Sequence, residues 1–160
     1  MVPAEGRVTF AFDIDTLATG IYVGICSASH LLTADLGGSD GFGMGYGADG
    51  SVRLNNSSLL AANGTTSVAV NGRGQIAIDF INRTFWVRRL LPTPGNWNNN
   101  GSADPATNTG GLSLANLKAP PYYICAQLPS NTNAVFMQAA VALTIGGGFA
   151  TWADVAINPP

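Results

Sequence analysis

No stretch of this chain sustains an apolar repeat with the period of a helix; short β-branched and aromatic runs, cut by Gly, Asn, Asp and Pro, take its place. Residues 8–15 alternate, with Val8, Phe10, Phe12 and Ile14 on one face and Asp13 and Asp15 on the other. A second strand is expected over 21–27, after a Thr19-Gly20 turn. In DGFGMGYGADG, glycines at 41, 43, 45 and 47 leave Phe42, Met44 and Tyr46 on one face. The bare face admits another backbone or side chain at close range. Asp49-Gly50 predicts a hairpin turn into 51–55. Asn63-Gly64 and Asn71-Gly72 bracket a short strand over 65–70. A hairpin is expected from 75–80 through Asn82-Arg83 into 84–89. A long polar loop, 92–118, precedes strands over 122–128, 134–144 and 149–157. About nine or ten strands with long loops predict an all-β, antiparallel two-sheet sandwich of jelly-roll type. The 160 residues fit one domain, 1–160.

Only 10% of residues are charged, against about 25% in typical domains. A surface of Asn, Ser, Thr and Gly follows, suited to an extracellular protein or a subunit of a large assembly. Seven Lys and Arg are scattered singly apart from Arg88-Arg89, which reads as a strand-end pair facing solvent. Without a basic stripe, nucleic-acid binding is not expected. The N-terminus shows no basic region followed by an apolar core, so no signal peptide is expected. The apolar stretch 134–150 is too short and too broken, by Gln138 and Gly146 to Gly148, for the roughly 20 residues of a membrane helix. It reads as two buried strands around a glycine turn.

Few residues suggest chemistry. Cys26 and Cys125, both in strand-like runs, read as buried free thiols; the alternative is a disulfide between strands, which needs an oxidising setting. His30 follows Cys26 by four residues, but a thiol-base pair needs a third, orienting group, and a strand-to-loop spacing does not guarantee contact. Asp13 and Asp15 read as strand aspartates rather than a glycosidase pair, and Glu5 is the only glutamate. Asp35, Asp40 and Asp49 lack the regular acidic spacing of a calcium loop. No metal or cofactor is expected. Trp97, among Asn96, Asn98, Asn99 and Asn100, either stacks on a sugar or anchors a protein contact, or is buried by its own loop.

Four segments in order, GFGMGYGADGSVRLNN, GRGQIAIDFINRTFWVRR, NWNNNGSADPATNTGG and APPYYICAQL, resemble SPRY-type domains of the concanavalin-like sandwich group. The last loop, with Trp97-Asn98 and the run from Asp104 to Gly111, is similar to versions found in bacteriophage proteins. The chain departs from the family in carrying Gln75 where an acidic residue is usual, and in starting almost at once on Arg7-Val8-Thr9-Phe10. Lost terminal strands would leave a sheet edge open to partner chains. The resemblance implies a non-enzymatic interaction subunit located in the virion, a capsid decoration or tail-associated protein. Its partners would be capsid or tail subunits and further copies of itself, not nucleic acid or membrane. The alternative is a glycan-binding module for host attachment. The surface expected to bind is Trp97, Asn98, Asn99, Asn100 and Asp104.

Overall fold

A computed structural model describes residues 6–15, 20–31, 34–62, 66–118, 120–129, 135–138 and 149–151. In these, the strands are β1 (Arg7–Ile14), β2 (Tyr22–Ser27), β3 (Gly43–Gly47), β4 (Val52–Leu54), β5 (Ser57–Leu60), β6 (Gly72–Asp79), β7 (Thr84–Leu91), β8 (Leu112–Ser113), β9 (Tyr122–Gln127), β10 (Val135–Gln138) and β11 (Ala150–Thr151). One sheet runs β10-β1-β6-β7-β8, with β11 pairing β1; the other runs β5-β4-β3-β2-β9. All pairs are antiparallel except β1 with β11. The all-β, two-sheet antiparallel sandwich expected from the pattern is the fold.

The core lies between the sheets and follows the alternation. Val8, Phe10, Phe12 and Ile14 of β1 meet Ile76 and Ile78 of β6, Phe85 and Val87 of β7, and Val23, Ile25, Met44 and Tyr46 of the other sheet. Tyr46 donates its buried hydroxyl to the Thr66 carbonyl, and burial pushes its phenol pKa upward. The β3–β4 turn is held by Asp49, whose Oδ1 accepts from the Ser51 amide at 2.9 Å and its hydroxyl at 2.6 Å. In the β6–β7 hairpin, Asp79 accepts from the Asn82 amide at 2.9 Å, and Arg83 takes positive φ.

Several expectations need correcting. Residues 66–70 form no strand; Val68 instead donates its amide to Ala48 as part of a packed connection. Two strands were not anticipated: β5, which is polar at Ser57 and Ser58, and β8, only two residues long. Of the strands expected over 134–144 and 149–157, the described parts are β10 and β11; the rest, like the glycine turn at 146–148 and the Asn63-Gly64 turn, lies outside the described residues. Among the described residues no helix is long and apolar enough to cross a membrane.

Candidate functional site

The long loop closes onto the outer face of the six-stranded sheet. Alternation turns Ala77 and Trp86 away from the main core, and Trp97 and Ala103 cover them to make a second, smaller core. Trp97 is 9% exposed. The Arg88 guanidinium lies 4.3 Å from the centre of its ring and Arg88 Nε donates to Gln75 Oε1 at 2.8 Å. Burial holds the Arg88 pKa below its ordinary value. Arg88 is therefore not the solvent-facing strand-end residue that the sequence suggests; a cation-π contact and a buried amide fix it against the sheet. Gln75 itself is fully buried and donates to Thr9 Oγ1 at 3.2 Å.

Asn98 acts as a bracket. Its backbone sits in the left-handed region and its side chain turns inward. Oδ1 accepts from the Val87 amide at 2.9 Å, while Nδ2 donates to the Gly110 carbonyl at 2.9 Å and reaches Phe85 O at 3.5 Å. One side chain thus satisfies the rim of β7 where β8 has ended. The Asp104–Gly111 run clasps the same surface. Asp104 Oδ1 accepts from the Ala106 amide at 2.9 Å, and its backbone pairs with Thr109 in both directions. Trp86 Nε1 donates to Thr109 O at 2.8 Å. A Cβ on Gly111 would sit 2.7 Å from the Trp86 ring, so only glycine fits there.

The five residues expected to bind do not converge. Trp97 and Asn98 are buried, Asp104 is a half-buried cap, and Asn99 and Asn100 are exposed. Of the two readings of Trp97, burial by its own loop is the one found, and the outward stacking platform is not: the apolar face of Ala77 and Trp86 is covered by the nearest long loop.

The outer face of the five-stranded sheet is different. Register sets Cys125 opposite Gly24 and Tyr123 opposite Cys26, so both thiols stand outward, diagonal to one another on β2 and β9. Gly43 lies opposite Cys26 on β3. Its missing side chain makes room for Leu36 Cδ1, which would be 2.8 Å from a Cβ there, and for His30 Cε1, at 3.5 Å. The alternate-glycine face thus receives a neighbouring segment, as its pattern predicts. Gln127 clamps that segment: Oε1 accepts from the Leu36 amide at 2.6 Å and Nε2 donates to Asp35 at 2.9 Å.

A cleft of about 260 Å³ remains, lined by Cys26, Cys125, His30, Leu36, Gln127 and Leu128. His30 Nδ1 lies 2.7 Å from Asp40 Oδ2. Burial raises the Asp40 pKa, but the Phe42 and Leu31 amides and His30 outweigh it and hold the carboxyl below its ordinary value. Asp40 thus orients the His30 ring, with no hydrogen bond from His30 to Cys26 among the described residues; the Asp40 backbone oxygen also accepts from Lys118 Nζ at 2.6 Å. Cys26 and Cys125 are free, and half-buried rather than fully buried as expected. The neighbouring Cys125 thiol lowers the Cys26 pKa, against burial and the Asp40 charge, while Cys26 and burial push the Cys125 thiol up; Cys125 Sγ lies 3.7 Å from the Tyr123 carbonyl oxygen. Asp13 and Asp15 make no carboxylate pair: Asp13 accepts from Arg73 Nε and Nη2 at 2.6 and 2.9 Å, which raises the Arg73 pKa. Among the described residues no three His, Cys, Asp or Glu side chains are grouped to hold a metal.

The cations complete the picture. Arg7 pairs with Asp79 at 2.8 Å, Arg73 with Asp13, and Arg88 with Gln75 and Trp97. Arg83 donates to the Leu114 and Leu117 carbonyls, Arg89 to Thr93 O, and Lys118 to Asp40 O. Arg53 lies over the Tyr22 ring, 5.2 Å from its centre. All seven Lys and Arg side chains thus have a partner within the chain.

No family model and no curated protein matches the chain. Among solved structures, the SPRY domain of human HERC1 is similar, with a TM-score of 0.56 and 16% identity over 83% of this chain and 74% of that one. The two-sheet sandwich is a SPRY-like fold.

Proposed function

We propose that the chain is a non-catalytic interaction subunit of a bacteriophage virion, a capsid decoration or tail-associated protein, working through protein–protein contacts with capsid or tail subunits and with further copies of itself. The observation that carries this reading is the internal engagement of all seven cations. A surface without an uncommitted cationic patch has little to offer phosphates or anionic membranes. Most of what faces outward is amide, hydroxyl and scattered apolar groups, Leu31, Ile81, Tyr123 and Leu128 among them, beside a few single charges such as Asp15, Arg53 and Lys118. Such a surface suits contacts that exclude water without placing charges in the interface core. The likeness of the Asp104–Gly111 loop to phage sandwiches supports the virion location, by analogy of fold and motif.

The glycan-binding alternative was built on an outward Trp97; that ring is covered and its neighbour Asn98 is turned inward. The test is cryo-electron microscopy of particles from which the chain co-purifies. Ordered copies in fixed stoichiometry, each burying more than about 1,000 Å² of total area, are expected. Absence from every particle, together with tight glycan binding, rejects the reading.

A further inference from the structure

We propose that β9 is a docking edge for a second copy of this chain: the two β9 strands pair antiparallel about a twofold axis at Ile124 and join two five-stranded sheets into one. This deepens the reading above and rests on its statement that the chain meets further copies of itself. The backbone of β2 sets the edge. Ser27 donates its amide to Phe42 O at 2.7 Å, and Ile21 O accepts from the Ala48 amide at 3.0 Å. The odd-numbered residues of β2 thus turn their polar groups toward β3, and such groups alternate in direction along a strand. Tyr22, Gly24 and Cys26 therefore turn theirs toward β9, opposite Gln127, Cys125 and Tyr123. The N–H and C=O groups of Tyr122, Ile124 and Ala126 point the other way. There β9 ends its sheet, and among the described residues these groups have no backbone partner.

Edges are commonly blunted by charge, by shortness or by a bulge. β5, at the other end of the same sheet, has four residues and a register shift against β4. β9 has six residues and pairs with β2 without a shift. No charged residue lies between Lys118 and Asp154, and prolines at 120, 121 and 129 flank β9 without entering it. The occupant follows from the same facts. A twofold contact sets one patch against itself, so a charge near the axis would meet its own copy; this strand brings none. The register also closes on itself. Ile124 pairs with Ile124 of the other copy, and Tyr122 pairs with Ala126 in both directions, which uses every outward N–H and C=O of the three residues. Tyr123 and Leu128, 39% and 43% exposed, border the seam and supply apolar surface to cover.

The test is hydrogen exchange of the full chain, followed amide by amide, at low and high protein concentration. In the dilute chain, Tyr123, Cys125 and Gln127 should be protected while Tyr122, Ile124 and Ala126 exchange freely. At high concentration the second set should gain at least about tenfold in protection, with the first set unchanged. Ala126→Pro removes an outward N–H and leaves the β2 ladder whole. It should weaken self-association, measured by light scattering, at least about tenfold, with the circular dichroism spectrum unchanged. If that variant does not fold, the exchange pattern of the wild-type chain decides. Oligomers that form equally well with Ala126→Pro, or protection that rises with concentration but skips these three amides, would overturn the β9 edge while leaving association through another surface intact. A wild-type chain that stays monomeric at high concentration would overturn the edge together with the self-association it rests on.

Discussion

The outer faces of the two sheets have opposite fates. On the six-stranded sheet, Ala77 and Trp86 are sealed by Trp97 and Ala103, and the polar rim is closed by Asn98, Asp104 and Thr109. On the five-stranded sheet, two thiols and a histidine line an open cleft, with Tyr123 and Leu128 exposed near it. The asparagine-rich loop reads in the sequence as either a binding surface or a cover for its own Trp and serves as a cover; the apolar strands look like plain core and carry two half-buried thiols. Polarity of composition therefore does not locate a site. What locates it is whether the outward side chains of a sheet find a cover.

Trp97→Ala should break the sealed face most severely. A loss of about 3 kcal/mol is expected from removing a buried indole, read as a lower denaturant midpoint. An unchanged midpoint combined with a lost ligand would make the loop a binding surface after all. Asn98→Ala comes next. It leaves the Val87 amide and the Gly110 carbonyl without their partner, which costs about 1–3 kcal/mol; a smaller change in chemical unfolding would mean that water or Asn99 takes over the bracket.

Acid sharpens the contrast in another way. Burial raises the Asp79 pKa, but hydrogen bonds from the Asn82 backbone and side chain and from Arg7 outweigh it and hold the carboxyl below 3.8. A depressed carboxylate contributes stability that is fully present above its unfolded value and is lost as pH falls through the folded one. Stability should therefore decline once pH drops below about 3.8, and Asp79→Asn should flatten that decline while lowering stability at neutral pH. Asp40, depressed by the Phe42 and Leu31 amides and His30, acts in the same window from the cleft side. A pH profile unaffected by Asp79→Asn would show that the buried pair with Arg7 contributes nothing. The smallest effect belongs to the open face: Tyr123→Ser should change stability by no more than about 0.5 kcal/mol in thermal or urea unfolding. A larger loss would mean that this face is packed.

Much of this fold is legible in local pattern. Alternation in β1, the Asp49-Gly50 turn and the β6–β7 hairpin are short-range signals, each carried by residues within one turn or one strand. β5 was missed because Ser57 and Ser58 lie exposed on an edge, where pairing rather than burial makes the strand. The site was much less legible. Cys26 and Cys125 meet only because β2 pairs with β9 across most of the chain, and no local signal encodes that register. Asp40 reads as a turn aspartate; its second role, holding His30, depends on how the segment folds back over Gly43. Trp97 leaves two readings open because an Asn-rich neighbourhood suggests exposure, whereas the deciding fact is the Trp86 face beneath it, which the sequence does not place there.

Association of this surface without charge is read in sedimentation velocity of the purified chain over a range of concentrations, at about 0.1 M and about 1 M salt, where screening lengths fall from roughly 10 Å to 3 Å. Oligomers should grow with concentration and persist at high salt, because the seven cations are already engaged within the chain. A strictly monomeric species at high concentration, or oligomers that dissolve as salt rises, would contradict it.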